Sequence, residues 1–397
     1  MFAKRLPAQL SPNRLARLIA DRRRAGLEIL DLTESNPTTA GFHYDDIGLA
    51  AALRHPDLRR YQPCSRGLEA ARLAVADYYR DLGRRVPADD IFLTASTSEA
   101  YSYAFKLLAD PGDEILVPQP SYPLFEALTV LDALQPVPYP LRYEPGQGWR
   151  FDPEHLRNLI STRTRAIVAV NPNNPTGSFI RPDELAALNE LGAAFDLALI
   201  VDEVFLDYAQ TLGGRAAASA AGNRQALTLV LSGLSKIVGL PQLKLGWLAA
   251  SGPESIIGSA RERLDFIADT YLSAGAPVQL AAADLLKQRA GFQAQVHRRL
   301  ADNELYLQQG LTGRADLTML PREGGWAAIL KGSAPIDDEE LVCALLEKTG
   351  VLVHPGYFYD FQADGFLVLS LLTPPAVFRE GVGRLIGFAG RGRMLLP

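Results

Sequence analysis

Cysteine is scarce in this sequence, since only Cys64 and Cys343 occur among 397 residues, too few for a disulfide framework. No uninterrupted apolar run reaches the length of a transmembrane helix, so we do not expect a membrane protein. The formal net charge of −5 gives no electrostatic reason to expect nucleic acid or anionic lipid as a partner. These absences favour a protein of a reducing compartment, and we expect it in the cytoplasm.

The N-terminal segment is basic, as transit peptides are. However, Ser11 and Pro12 form a typical helix start, with an N-cap hydroxyl followed by proline at the first helical position. Leu15, Leu18 and Ile19 then recur at helical spacing. We therefore favour a helix of the folded protein over a targeting segment.

Apolar residues make up 48% of the chain, which is enough to build a core in a large domain and another in a smaller one. Between residues 90 and 250, short apolar runs alternate with helical patterns, as in a parallel sheet covered by helices. The pattern changes near residue 275, where a long helical region precedes further short strands. We predict an α/β protein with a large domain at 41–275 and a smaller α/β domain at 276–397. Residues 1–40 are predicted to form an N-terminal arm that joins the smaller domain.

Polar side chains follow three of the predicted strands at the point where each strand ends. Asn174, Asp202 and Lys236 each come shortly after a strongly apolar run. Because ligands of parallel α/β sheets bind beyond the carboxyl ends of the strands, we expect these side chains to lie close together. A lysine can form a Schiff base with an aldehyde cofactor, a carboxylate can keep a pyridine nitrogen protonated, and an amide can bind a phenolate oxygen. The combination predicts a pyridoxal 5′-phosphate site.

A phosphate group needs a cradle of its own. Ser96, Thr97 and Ser98 follow a predicted strand and open a helix, where backbone N–H groups and hydroxyls bind anions. Tyr122 follows the next strand, which would allow its ring to stack on the cofactor. Taken singly, each of these residues has an ordinary structural explanation as a helix cap, a turn or a core side chain. Their order on successive strand ends is what favours the cofactor site.

With these residues in view, nearly the whole chain resembles the class I/II aminotransferases, which are fold type I pyridoxal phosphate enzymes. The resemblance is carried by Asn174-Pro175-Thr176-Gly177, by Ser235-Lys236 and by Leu245-Gly246-Trp247. It implies a mostly parallel seven-stranded sheet in the large domain and a homodimer with shared active sites. Tyr61 looks like the family tyrosine that reaches the phosphate of the neighbouring subunit.

The resemblance also implies a role for each residue of the predicted site. Lys236 would hold the cofactor as a Schiff base and shuttle a proton between the substrate Cα and the cofactor. Asp202 would pair with the pyridine nitrogen, and Asn174 with the phenolate oxygen. Tyr122 would stack on the ring. The phosphate would be held by Ser96, Thr97 and Ser98.

Three positions near the cofactor depart from the family pattern. Phe205 stands where a tyrosine usually shares the phenolate hydrogen bond with the asparagine. Lys244 replaces the arginine that binds the phosphate, so a point charge takes the place of a planar fork. Gly233 replaces the usual serine three residues before the lysine, which leaves Ser232 or Ser235 as hydroxyl donors.

A fourth departure concerns the substrate. Val368 stands where the family has an arginine that clamps the substrate α-carboxylate. Charge-assisted hydrogen bonds contribute about 1.5–3 kcal/mol each, so losing the clamp without a replacement would lower substrate affinity severely. Asn36 and Arg66 are the two candidates for another carboxylate-binding group. The alternative is that Asn36 fixes a turn and Arg66 faces solvent.

These observations predict an aminotransferase that moves an amino group between an amino acid and a 2-oxo acid. Because Val368 and Phe205 alter the substrate grip and the ring electronics, β-elimination or another reaction of the Cα carbanion is the second hypothesis. The third is a non-catalytic ligand-binding module of the same fold. Regulators of that kind carry a DNA-binding domain, and no basic helix-turn-helix pattern precedes the large sheet.

Overall fold

A computed structural model describes residues 2–7, 11–210, 217–333 and 336–390 of the chain. Fourteen strands and thirteen α-helices are found in these ranges, joined by short 3-10 turns. The strands are β1 (Leu30–Asp31), β2 (Ile91–Thr94), β3 (Glu114–Gln119), β4 (Gln135–Glu144), β5 (Gly148–Phe151), β6 (Thr164–Val170), β7 (Ala198–Asp202), β8 (Thr228–Gly233), β9 (Gly246–Ser251), β10 (Leu317–Met319), β11 (Ala327–Gly332), β12 (Val351–Leu352), β13 (His354–Pro355) and β14 (Phe366–Ser370).

The helices alternate with the strands over much of the chain, as the sequence pattern predicted for residues 90 to 250. They are α1 (Arg14–Arg24), α2 (Asp46–Ala52), α3 (Glu69–Asp81), α4 (Thr97–Leu108), α5 (Phe125–Leu131), α6 (Pro153–Leu159), α7 (Pro182–Phe195), α8 (Leu234–Ile237), α9 (Glu254–Tyr271), α10 (Ala276–Lys287), α11 (Arg289–Leu311), α12 (Asp338–Thr349) and α13 (Pro375–Phe388).

One eight-stranded sheet organises the larger part of the protein, with strand order β2-β9-β8-β7-β6-β3-β4-β5. Five neighbouring strands, from β8 through β7, β6 and β3 to β4, run parallel. Strand β9 runs against both of its neighbours, and β5 folds back on β4 as an antiparallel hairpin. The predicted fold class is confirmed, although the sheet has eight strands where the resemblance implied seven.

The sheet is buried on both faces, which explains its uniformly apolar strands. Successive side chains of a strand point to opposite faces, so Leu199 and Val201 of β7 join one core while Ala198 and Ile200 join the other. Helices α3, α7 and α10 cover the first face, and α4 and α9 cover the second. The polar residues that follow these strands are therefore held at a rigid edge.

A second, smaller α/β unit contains the antiparallel sheet β10-β11-β14-β13 and a separate core with α11, α12 and α13. The N-terminal segment lies in this unit, because β1 pairs with β12 in parallel and Leu15 of α1 enters its core. Strand β14 is central to this unit and places Val368 opposite Ile329 on one side and His354 on the other.

Helix α10 packs against the large domain, although the sequence pattern predicted it in the smaller domain. Its residues Val278, Ala281 and Leu285 are buried in the core of the large sheet, together with α3. The predicted boundary between residues 275 and 276 is therefore one helix too early, and we place it after Lys287. An apolar helix face shows that a helix is packed, but its sequence does not show against which domain.

The two cysteines are not joined in a disulfide. Cys64 is exposed, Cys343 is buried in the small domain, and both are free thiols. Through the described ranges, no helix combines the length and the apolarity that crossing a bilayer requires.

Candidate active site

A cavity of about 280 Å³ opens where the carboxyl ends of the parallel strands meet the small domain. Three of the residues predicted from separate strand ends line it together, namely Asn174, Asp202 and Lys236. From the large domain the lining also includes Thr97, Tyr122, Phe205, Ser235 and Gly246. From the N-terminal segment and the small domain it includes Thr33, Ser35, Trp326, His354, Phe358, Tyr359, Val368 and Ser370.

Lys236 lies in the short helix α8, directly after β8. Its Nζ is 4.7 Å from the ring centroid of Trp326 and 5.5 Å from that of Phe205. Burial in this aromatic surrounding disfavours the ammonium ion and lowers the pKa of Lys236 to about 8. A larger fraction of the amine is therefore neutral near physiological pH than in an exposed lysine, and a neutral amine is a nucleophile.

Asp202 is the last residue of β7, and its carboxylate is buried. Tyr101 donates its hydroxyl to Oδ2 at 3.0 Å, and the backbone N–H of Val204 donates to Oδ1 at 3.0 Å. Desolvation raises the pKa of Asp202 to about 6, while these two donors act against the rise. Because these two donors leave other lone pairs of the buried carboxylate unused, it is suited to bind a cationic group in the cavity.

The loop after β6 contains three asparagines, and two of them build the loop. The side chain of Asn171 bonds Ala218 O and the N–H of Ile180, and that of Asn173 bonds Ser121, Pro120 O and Thr176. Asn174 lines the cavity instead. The loop is thus fixed by its neighbours, and the Asn174 amide remains available to a ligand.

The N-terminus of α4 reaches the same cavity. Ser96 is its N-cap and accepts the N–H of Glu99, while the Glu99 carboxylate accepts the N–H of Ala95. The N–H groups of Thr97 and Ser98 have no partner within the helix, because they belong to its first turn. These donors, with the positive end of the helix dipole, favour an anion such as a phosphate.

Gly246 of β9 makes room for this cradle. A Cβ at Gly246 would lie 3.0 Å from the N atom of Thr97 and 2.9 Å from the carbonyl carbon of Ser96. Any side chain there would cover the N-terminus of α4. Together with the Ser235 hydroxyl, which also faces the cavity, these residues fit a phosphorylated aldehyde cofactor whose aldehyde meets Lys236.

Two of the departures from the family pattern have a structural basis. Phe205 lines the cavity beside Trp326, with ring centroids 5.2 Å apart. Its apolar ring edge therefore takes the place of the tyrosine hydroxyl that would donate a hydrogen bond to the cofactor. At Gly233 a Cβ would lie 2.8 Å from Leu245 O and 2.9 Å from the Gly246 Cα. The close approach of β8 and β9 therefore leaves no space for a serine at that position.

Ser96, Lys244 and Tyr61, which were also predicted to contact the cofactor, do not line this cavity. The Ser96 side chain is used as the helix cap, and the Lys244 side chain is exposed at the end of a 3-10 turn. Tyr61 is 81% exposed and lines a second, surface cavity of about 210 Å³. Tyr122 does line the main cavity, and 42% of its surface is accessible.

The two substrate candidates are not brought to the cavity within this chain. The Asn36 side-chain oxygen accepts hydrogen bonds from the N–H and the hydroxyl of Thr38, which closes a turn. Arg66 forms an ion pair with Asp265 and donates to Asp89 O. Asn36 therefore follows the turn alternative, and Arg66 is held by a carboxylate of its own chain rather than by solvent.

Among the residues not predicted from the sequence are Tyr101, which bonds Asp202 from outside the cavity, and Trp326 and His354, which line it. Tyr101 lies one helical turn after the phosphate cradle, and that spacing was the signal that could have found it. Trp326 follows Gly324 and Gly325 directly before β11, where it is readily taken for a core residue. His354 belongs to a two-residue strand, which is too short to show any periodicity.

Comparisons with known proteins agree with this geometry. The family model for aminotransferase class I and II matches residues 28–385. A glutamate-pyruvate aminotransferase of Haemophilus influenzae is 32% identical, over 87% of this chain and 87% of its own. An alanine aminotransferase of Mycobacterium tuberculosis is 29% identical, over 91% of this chain and 86% of its own.

Solved structures resemble the whole chain. An alanine aminotransferase from Pyrococcus furiosus has a TM-score of 0.88 at 25% identity, covering 98% of this chain and 100% of its own. An aminotransferase from Escherichia coli has a TM-score of 0.85 at 24% identity and covers 98% of both chains. Because the family model spans nearly the whole sequence and a relative above 30% identity matches over most of it, the chain belongs to the class I and II aminotransferases, enzymes that transfer amino groups.

Proposed function

We propose that the protein is a pyridoxal phosphate-dependent aminotransferase that moves an amino group between an amino acid and a 2-oxo acid, with Lys236 as its catalytic lysine. The observation that carries the proposal is that Lys236 and Asp202, from the ends of adjacent strands, line one cavity with opposite pKa shifts. When bound, the cofactor supplies an electron-accepting ring that stabilises negative charge at the substrate Cα.

Lys236 has two tasks in this proposal. Its partly neutral Nζ would hold the cofactor aldehyde as a Schiff base, which a substrate amine can displace. The displaced Lys236 amine would then be the group that accepts the proton from the substrate Cα and returns it on the cofactor side. Desolvation by Trp326 and Phe205 supports both tasks, because it keeps the pKa of Lys236 close to the working pH.

The remaining residues bind and orient. Asp202 would keep the pyridine nitrogen of the cofactor protonated, and Asn174 would offer its amide N–H to the phenolate oxygen. Tyr122 would stack on the ring. Lys244, two residues before Gly246 in the sequence, would add a positive charge for the phosphate, although its side chain is exposed outside the cavity. The phosphate would be held by the N–H groups and hydroxyls of Thr97 and Ser98 and by the Ser235 hydroxyl, with Ser96 as the N-cap that fixes this turn.

A donor panel tests this function. Protein saturated with pyridoxal phosphate is mixed with single amino acids, and conversion of the bound cofactor to its amine form is followed by absorbance. Alanine and glutamate, with pyruvate as acceptor, come first, because relatives carry the names alanine aminotransferase and glutamate-pyruvate aminotransferase.

We expect conversion by at least one amino acid and its reversal by a 2-oxo acid, with Lys236→Ala unable to do either. If no amino acid converts the wild-type protein, transamination is wrong. Release of ammonia and pyruvate without an acceptor would instead indicate elimination.

We also propose a homodimer in which Tyr61 reaches the phosphate of the neighbouring subunit. Its support is the 81% exposure of an aromatic side chain beside a surface cavity that Leu272 and Tyr103 also line. Large exposed aromatic residues are common where a second chain binds.

Shared active sites can be tested by complementation. Chains with Tyr61→Ala and chains with Lys236→Ala are produced together, so that the heterodimer contains one site in which both residues are intact. We expect the mixture to be more active than either parent alone. Activity no higher than that of the Tyr61→Ala parent would show that each site is built from one chain.

A further inference from the structure

The substrate side of the cavity has few charged groups. Of the described residues that line it, the ones with an acidic or basic side chain are Asp202, Lys236 and His354. Asp202 is negative, and Lys236 is committed to the cofactor under the function proposed above, on which this inference rests. A substrate carboxylate placed here without a cationic partner would be strongly disfavoured, since burying an unpaired charge costs several kcal/mol.

His354 is placed opposite Val368. The two residues are direct partners in the antiparallel pair β13–β14, and both line the cavity. Residues directly opposite each other on neighbouring strands have Cβ atoms about 4.5–5.5 Å apart and point to the same face. His354 therefore lies next to the position from which the resemblance led us to expect a cationic clamp.

The imidazole is oriented by its aromatic neighbours. It stacks on Phe358, with ring centroids 4.9 Å apart and planes at 9°, and Tyr359 meets it edge-on at 5.8 Å. No hydrogen bond to either ring nitrogen is found across the described part of the chain, and neither nitrogen is sealed from the cavity or solvent. The stacking fixes the ring plane and leaves its polar edge for a ligand.

We propose that His354 is the residue that binds the substrate carboxylate, in place of an arginine at position 368. Ser35, which lines the same cavity on the side of the N-terminal segment, can add a hydroxyl donor, whereas the Thr33 hydroxyl already donates to Asp31. The substrate class is then a small or aromatic monocarboxylic amino acid, because the lining around His354 includes the rings of Phe358, Tyr359 and Trp326 and no second cationic side chain besides Lys236.

Charge balance makes the binding pH-dependent. Burial lowers the pKa of His354, and the carboxylate of Asp31, the charged group that acts on it, opposes this effect. The other ionisable groups that face the cavity around it are Lys236, Asp202, Tyr122 and Tyr359. A carboxylate that binds beside the imidazole favours its protonated form, so binding takes up a proton and should weaken as the pH rises.

The test uses 3-phenylpropionate, which has a carboxylate but no amino group, as a competitive ligand of the cofactor-loaded protein. Its affinity is measured from pH 5.5 to 8.5 in the wild type and in His354→Phe, which keeps an aromatic ring for the stack on Phe358. His354→Gln is a second variant, in case His354→Phe does not fold. The matched ligand is 3-phenylpropanamide, which has the same shape without the charge.

We expect His354→Phe to bind the acid about tenfold to a hundredfold more weakly than the wild type at pH 6, with its amide affinity nearly unchanged. The wild-type affinity for the acid should fall with rising pH more steeply than that of the variant. Equal acid affinities and equal pH profiles in both proteins would overturn the role of His354. So would a preference of the wild type for the amide over the acid.

The two proposals fail in different ways. If amino acids convert the bound cofactor to its amine form and His354→Phe has an unchanged KM, transamination stands and the His354 assignment is wrong. If no amino acid converts the cofactor, transamination itself is wrong, whatever the ligand affinities are.

Discussion

The Tyr101 hydroxyl donates a 3.0 Å hydrogen bond to Oδ2 of Asp202, and both side chains are buried. Tyr101 belongs to α4, whose N-terminus forms the phosphate cradle, and Asp202 ends β7. One helix thus serves both ends of the proposed cofactor site, through its first turn and through this tyrosine. The bond fixes the carboxylate orientation and favours its charged form.

Replacing Tyr101 by Phe should weaken cofactor binding by on the order of tenfold, because a hydrogen bond to a charged group contributes about 1.5–3 kcal/mol. The pKa of Asp202, raised to about 6 by burial, should rise further when this donor is lost. Pyridoxal phosphate binding to the apoprotein should weaken as the pH is lowered and Asp202 becomes protonated. This weakening should begin at a higher pH in Tyr101→Phe than in the wild type. Fluorescence titration at several pH values measures both effects.

Tyr103→Phe is the matched control, because Tyr103 lies on the same helix but its hydroxyl is directed to Ser273. It should leave cofactor affinity and its pH profile unchanged. If Tyr101→Phe also behaves like the wild type, the hydrogen bond to Asp202 has no part in binding the cofactor.

Glu203 predicts a pH dependence of stability. It is buried beside Asp202, and desolvation raises its pKa from 4.5 to about 7, although Ser219 and the N–H of Ala220 donate to it. The folded state therefore holds the proton more tightly than the unfolded state. The contribution to stability is fully present below pH 4.5 and is lost as the pH rises to about 7.

Glu203→Gln removes this titration, because it replaces the carboxyl group by an uncharged amide of similar shape. Between pH 4.5 and about 7, the wild-type free energy of unfolding should fall relative to that of the variant, by roughly 1.4 kcal/mol per pH unit. Denaturant unfolding at a series of pH values measures it. A constant difference between the two proteins would show that Glu203 titrates alike in the folded and unfolded states.

The cofactor half of the site was largely predictable from the sequence. Asn174, Asp202 and Lys236 follow apolar runs of the kind that form buried parallel strands, and parallel strands bring their carboxyl ends to one edge. That rule depends on local sequence and on one general property of the fold. The family membership and the aminotransferase activity predicted from these residues are confirmed by the comparisons.

The proposed substrate half was not predictable, because it depends on contacts between strands and domains that the local sequence does not encode. His354 and Val368 become neighbours through the register of β13 and β14, and Trp326 reaches Lys236 across the domain boundary. Neither arrangement leaves a local signal in the chain. The ion pair of Arg66 was equally hidden, since its partner Asp265 is 199 positions away in the sequence.

Gly233 gives a prediction about packing. Replacing it by Ser, which is the residue usual in the family, should destabilise the protein by about 1–3 kcal/mol, because the new Cβ meets the backbone of Leu245 and Gly246. Thermal unfolding with and without cofactor measures the cost. Gly233→Ala should be as damaging as Gly233→Ser, since both carry the Cβ. A stable Gly233→Ser protein would mean that β8 and β9 can separate at this point.

Val368→Arg should restore a guanidinium at the position where the family has one. Val368 is buried beside Ile329 and Tyr359 but also lines the cavity opposite His354, which gives the longer side chain a route towards the substrate. We expect KM for an α-amino acid to fall about tenfold, since a bidentate ion pair adds to the histidine contact. The KM of the matching amino-acid amide should not improve, and Val368→Leu, which adds bulk without charge, should improve neither. If Val368→Arg lowers KM for both substrates alike, charge at this position does not recognise the carboxylate.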